Sequence, residues 1–160
     1  VLARIGAALG ASDSQIRAAI ASSFMVSADN AHAVHPNHPG FADPNNAPVV
    51  NKGVVLKFNA NQRYTTDGVA SAVFRKICAM ADVPTQNYCN RADIPGGSTL
   101  GHISLTHVSV PTADVGLPQL AMHSCYETAA VQDILYLEKA MTTYYGTVLE
   151  VTGDGGCIIR

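Results

Sequence analysis

From Ser27 to Pro36 the chain reads Ser-Ala-Asp-Asn-Ala-His-Ala-Val-His-Pro, which places Asp29, His32 and His35 close together. A carboxylate offers a hard oxygen ligand and a neutral imidazole a borderline nitrogen one. That mixture suits zinc, manganese or cobalt better than calcium. Taken singly, Asp and His are common loop residues that bond to turns and solvent. Grouped just after the apolar run Phe24-Met25-Val26, they shift the balance modestly toward chemistry. Two further residues have the type to join them. His123 stands alone in Gly116-Leu-Pro-Gln-Leu-Ala-Met-His-Ser, which reads as a loop, and Lys57 is embedded in the β-branched run Gly53–Phe58. A lysine in a strand ordinarily points to solvent. The run Gly96-Gly-Ser-Thr99 resembles an anion-holding turn, yet it lacks the lysine of a phosphate loop and the glycine spacing of a dinucleotide site. A tight turn with a helix cap is the simpler expectation there.

The elements that must position these groups can be read from periodicity. Ser12 followed by Gln15 is a capping box and predicts a helix through Ile16 and Ile20. A strand over 24–28 leads into the Asp/His stretch, where Pro36 stops regular structure. The span 37–51, with Pro39, Pro44 and Pro48, is a long loop. A strand over 53–58 follows, then a helix capped by Asp67 with Val69, Val73, Ile77 and Met80 at helical spacing. Further strands are expected at 86–89 and 112–115, and a last helix from about Glu127 to Tyr145. The tail 146–160 reads as loose. Strands alternating with helices predict an α/β sheet flanked by helices, with sites at the carboxyl ends of strands.

Composition narrows the function classes. One domain is expected from 160 residues, 48% of them hydrophobic, with no apolar run near the roughly 20 residues of a membrane span. A net charge of -2 and 14% charged residues give no basic footprint for nucleic acid or a membrane surface. Cys78, Cys89, Cys125 and Cys157 are widely spaced, which fits free thiols in a reducing compartment better than a disulfide framework.

Several motifs occur in a consistent order: Asp29-Asn-Ala-His-Ala-Val-His-Pro-Asn37, Lys57, Gln62-Arg-Tyr64, Arg91-Ala-Asp93, Gly97-Ser-Thr-Leu-Gly101, Asp114-Val-Gly116 and Pro118-Gln-Leu-Ala-Met-His-Ser124. With these the sequence resembles the aspartyl aminopeptidase family over about 23–145. The resemblance implies a three-layer α/β/α catalytic domain of the zinc-exopeptidase (phosphorylase/hydrolase-like) type, of which residues 1–145 would be the carboxyl-terminal portion. It implies a cytoplasmic enzyme that removes amino-terminal residues, typically acidic ones, from peptides. Two divalent ions would serve it, zinc foremost, with manganese or cobalt also compatible. Family members assemble into homo-oligomeric dodecamers. Carried over by position, Asp29 and His123 each match a metal ligand, one to each ion, while His32, Lys57 and Tyr64 match substrate contacts and Met122 lies beside the pocket. Lys57 would offer a point charge to an acidic side chain.

The sequence also departs from the family. Its only glutamates are Glu127, Glu138 and Glu150, so the Glu-Glu pair that supplies a general base and a further ligand is missing, and no catalytic base is assigned in this chain. Asn30 stands where Met is frequent after the ligand Asp, and His102 where Pro is usual. The chain by itself is therefore expected not to hydrolyse peptides. Two alternatives stay open: a non-catalytic assembly domain, and a related two-metal dipeptidase or deacylase.

Overall fold

The computed structural model describes residues 1–154 and 156–160. Two short helices come first, α1 (Leu2–Ala8) and α2 (Asp13–Ala21). The expected capping box opens α2: the Ser12 hydroxyl accepts from the Gln15 N–H, and Gln15 Oε1 accepts from the Ser12 N–H at 2.8 Å. Strands β1 (Met25–Ala28) and β2 (Ala31–His32) precede the proline-rich loop, whose only regular piece is a 3₁₀ turn over Pro39–Phe41. Then come β3 (Val54–Phe58), α3 (Gly68–Met80), β4 (Thr85–Cys89), α4 (Leu100–Leu105) and β5 (Thr112–Gly116). Asp67 caps α3 by accepting the Ala70 N–H at 2.7 Å. That bond satisfies a donor the helix leaves open at its start.

The main sheet has the order β1-β5-β3-β4. Both β1/β5 and β3/β4 are parallel, and the central β3/β5 pair is antiparallel. Alternation along the strands gives the sheet two different faces. Val54, Leu56, Ala113 and Val115 point to one side, where they pack with Ala70, Phe74 and Cys78 of α3 and with Ala140. Complete burial of a side chain such as Phe74 contributes about 2–3 kcal/mol. The other face carries Val55 with Ala31, Tyr64 and Tyr88 in a smaller apolar cluster, alongside Lys57 and Asp114. Gly101 of α4 closes over Asp114 on that face. Helices, sheet and the covering α4 with its loops make the three layers of the α/β/α fold.

Three expectations change. The stretch 116–124 is not all loop: Pro118–Leu120 forms β6, which pairs in parallel with β2 and antiparallel with β7 (Thr128–Ala129). Because 128–129 is extended, the last helix, α5 (Val131–Gly146), starts four residues later than its apolar spacing suggested. The tail expected to be loose contains an antiparallel ribbon of β8 (Leu149–Val151) and β9 (Cys157–Ile159). Cys157 and Ile159 of that ribbon border a shallow groove with Val69 and Val73 of α3. All four cysteines are free: Cys78 is buried, Cys89 half-buried, Cys125 and Cys157 exposed.

Candidate functional site

The site grows from the place where two paired strands leave the sheet together. Beyond β1 and β5 the parallel pairing continues, with Asp29 N–H donating to Val115 O, Ala31 N–H to Leu117 O and Ala33 N–H to Gln119 O, each at 2.9 Å. This carries Asp29 and His32 alongside 117–119. Gly116 permits the approach, because a Cβ there would lie 1.9 Å from the Asp29 carbonyl oxygen. Asn30 staples the junction: its Oδ1 accepts the Leu117 N–H at 3.2 Å and its Nδ2 donates to Gln119 Oε1 at 2.5 Å. After β6 the chain turns sharply through left-handed backbone at Ala121 (φ 54°) and His123 (φ 68°). The His123 N–H donates to Glu127 Oε1 at 2.6 Å, which fixes this turn.

Lys57 does not point to solvent. Its side chain is 2% exposed, with Nζ 3.6 Å from Asp29 Oδ2 and donating to Asn30 O at 3.2 Å. The ammonium also stands 5.1 Å from the centre of the Tyr64 ring, on a face where ring electrons attract a cation. Burial pushes the Lys57 pKa down, opposed by the carboxylates of Asp29 and Asp114. Asp29 itself is 53% exposed, so one side of its carboxylate remains open.

His32 stands opposite Gln119 in the β2/β6 pair, three residues after Asp29 and across from the strand that leads to His123. Its pKa is lowered from the ordinary 6.5 by desolvation first, then by the like charges of His123 and Lys57, with Asp29 pulling the other way. Asp29, Lys57 and His123 thus each act on the charge of His32. The His32 ring lies 6.4 Å from that of Tyr88, and Tyr88 lies 6.1 Å from Tyr64. Burial raises the pKa of both phenols, which keeps them protonated as donors. A cleft of about 640 Å³ opens beside this group, lined by His32, His35, His38, Phe41, Tyr88 and Met122 among others. His35 thus faces the cleft, its ring tilted against that of His38 with centres 5.3 Å apart. A neighbouring cleft of about 730 Å³, lined by Arg63, Asn90 and Arg91, touches none of Asp29, His32 and His123.

Among the described residues no three His, Cys, Asp or Glu side chains come together as a metal-holding group. A half-exposed carboxylate and an exposed imidazole are donors zinc accepts, but a catalytic zinc takes three protein ligands. The residues present thus fit part of a zinc site. Four residues of the site were given no role from the sequence: Asn30, Tyr88, Asp114 and Gln119. The signal that could have found Asp114 is its type, since an ionisable residue inside an otherwise apolar strand must have partners.

The sequence profile of the family described as aminopeptidase I zinc metalloprotease (M18) matches residues 1–145. The chain is 45% identical over 145 residues to a probable M18 family aminopeptidase 2 of Clostridium novyi, covering 91% of this chain and 34% of that protein. A protein of the same description from Pseudomonas entomophila is 45% identical over 133 residues, covering 83% of this chain and 31% of its own length. Among solved structures, one reported as the cryo-EM structure of the Ape4 and Nbr1 complex superposes with a TM-score of 0.86 at 40% identity, over 90% of this chain and 27% of that one. The S. cerevisiae mApe1 dodecamer gives a TM-score of 0.70 at 26% identity, over 79% of this chain and 27% of that one. The chain thus spans about a third of the length of the curated relatives it matches.

Proposed function

The chain belongs to the M18 family of zinc aminopeptidases, and from that premise we propose that its residues 1–145 act as the carboxyl-terminal part of a catalytic domain that removes amino-terminal residues, acidic ones preferentially, from peptides. The observation that carries this reading is that the β2/β6 pairing sets His32, three residues after Asp29, opposite Gln119, four residues before His123, beside a cleft lined by His32 and Met122. Asp29 and His123 are assigned as ligands, one to each of two divalent ions, with zinc as the metal. Zinc, when bound, supplies Lewis-acid polarisation of the scissile carbonyl and lowers the pKa of water.

The chain's own residues have separable tasks in this reading. Lys57 lies against one oxygen of the Asp29 carboxylate, which stays 53% exposed and so open to a metal ion. Its ammonium would offer the counter-charge to an acidic substrate side chain. His32, with its pKa lowered, is neutral near pH 7 and can donate to or accept from a substrate amide. The phenol of Tyr64, held protonated by burial, can donate a hydrogen bond to an oxygen that gains charge in the transition state. Met122 lines the cleft as an apolar wall. The general base and the remaining ligands would come from sequence outside these residues. We further propose a cytoplasmic homo-oligomer, since one similar structure is a dodecamer; no described helix is long and apolar enough to cross a membrane.

The test is release of the amino-terminal residue from peptides beginning with Asp, Lys or Leu, with zinc added. The full-length protein encoded by the reading frame that carries this chain is expected to cleave the Asp peptide fastest, its His123→Ala variant to lose at least about 100-fold, and the 160-residue chain alone to release nothing. Unchanged turnover in His123→Ala would remove His123 from the metal site, and turnover by the chain alone would contradict the need for an outside base.

A further inference from the structure

Three of the motifs singled out in the sequence, Gln62-Arg-Tyr64, Gly97-Ser-Thr-Leu-Gly101 and Asp114-Val-Gly116, have no direct part in metal binding. The fold ties the two residues that follow the first motif, and Thr99 and Gly101 of the second, to the Asp114 carboxylate and backbone of the third. Asp114 is 0% exposed and lies on the same face of the sheet as Lys57. Its Oδ2 accepts the Thr65 N–H at 2.6 Å and the Thr65 hydroxyl at 2.9 Å, and its Oδ1 accepts the Thr99 hydroxyl at 2.8 Å. The backbone of the same residue is tied as well: its N–H donates to Thr66 Oγ1 at 2.8 Å, and its carbonyl accepts the Thr66 hydroxyl at 3.3 Å. Gly101 accommodates the carboxylate, since a Cβ there would lie 2.8 Å from Oδ1 and 2.9 Å from Oδ2.

We propose that Asp114 is a positioning residue for Tyr64: a buried carboxylate that clamps residues 65–66 and the Gly-Ser-Thr turn onto β5, and so holds the Tyr64 ring against the Lys57 ammonium. This rests on the reading above, in which Tyr64 and Lys57 meet the substrate. The physical case is one of conformational freedom. Among the described bonds, the 59–64 segment is held mainly by its own short turns, with Asn59 accepting from the N–H groups of Asn61 and Arg63. Its anchorage to the sheet comes immediately afterwards, at Thr65 and Thr66, and nearly every bond of that anchor ends on Asp114. Hydrogen bonds to a buried charged acceptor are stronger than neutral ones and leave little slack. Asp114 touches neither the cleft nor its occupant, so its contribution to rate runs through the placement of Tyr64 and through its charge on Lys57.

Asp114→Asn is the sharpest probe, because it keeps the size but turns one of the two hydrogen-bonded acceptor oxygens into a donor. Thr65→Val removes only the hydroxyl bond and serves if Asp114→Asn fails to fold; Thr65→Ser should restore it. In the 160-residue chain, hydrogen exchange at the residue 65 amide is expected to accelerate at least about 10-fold in Asp114→Asn, by a smaller factor in Thr65→Val, and to return toward normal in Thr65→Ser. In the full-length protein, kcat should fall on the order of 100-fold with KM within about threefold and zinc content unchanged. Unaltered Thr65 exchange would overturn the clamp. Faster exchange with normal kcat, or loss of zinc along with activity, would overturn the positioning role. Should the unmodified full-length protein show no aminopeptidase activity, the functional reading fails while the exchange measurement still decides whether Asp114 holds the loop.

Discussion

Lys57 shows what a single residue type hides and reveals. Its position in a strand was legible, but its direction was not, because the pleat sends alternate residues to opposite faces and β3 is central, covered on both. A lysine is tolerated there because Asp29, the Asn30 carbonyl and the Tyr64 ring surround its ammonium. The same cluster makes His32 a reporter. With its folded pKa below the ordinary 6.5, the unfolded chain takes up that proton more readily, so stability falls as pH drops through 6.5 toward the lower folded value and is flat above it. Titration of the His32 ring by NMR should give a value below 6.5. It should rise in His123→Ala, where a like charge is lost, and fall further in Asp29→Asn, where the counter-charge is lost. A His32 titration indifferent to both changes would separate the groups that this account joins.

At the scale of elements, capping and periodicity carried most of the information. The α2 capping box, the Asp67 cap of α3 and the β-branched run of β3 were each decided by residues within a few positions of one another. Strand β6 was not legible because it is three residues long, begins with Pro118, and is extended only by pairing with β2 and β7 from distant sequence. The start of α5 moved for the same reason: β7 and the Glu127 bond to the His123 turn hold the preceding residues out of the helix. Farther on, Asp133 in the first turn of α5 is 0% exposed and accepts the N–H groups of Asn51 and Gly53, a tie across 80 residues that no local pattern announces. The junction between the main sheet and the β2/β6 pair depends on the missing side chain of Gly116. Gly116→Ala is expected to cost about 3 kcal/mol or more in urea unfolding, since its Cβ would overlap the Asp29 carbonyl. A cost under about 0.5 kcal/mol would show that the two strands separate freely there.

For the molecule as a whole, the sheet and its α3/α5 layer form a dry core, while the amino-terminal hairpin of helices has no buried residue and exposes Leu2, Ile5 and Leu9. Val131, Ile134 and Leu135 of α5 are exposed as well. Only a third of the length of the curated relatives is represented, and among the described residues no three His, Cys, Asp or Glu side chains gather as a metal-holding group. The order of motifs made the family legible from sequence, because side-chain types at a site are chosen by chemistry and survive as words in the chain. The residues that aim them, Asn30 and Asp114, act through hydrogen bonds to partners 15 to 89 positions away and became legible only in three dimensions. The most direct measurement is the zinc content of the purified full-length protein, by elemental mass spectrometry, compared with its Asp29→Asn and His123→Ala variants. The account predicts that each variant retains its oligomeric state and holds substantially less zinc than the parent; full zinc occupancy in both would contradict it.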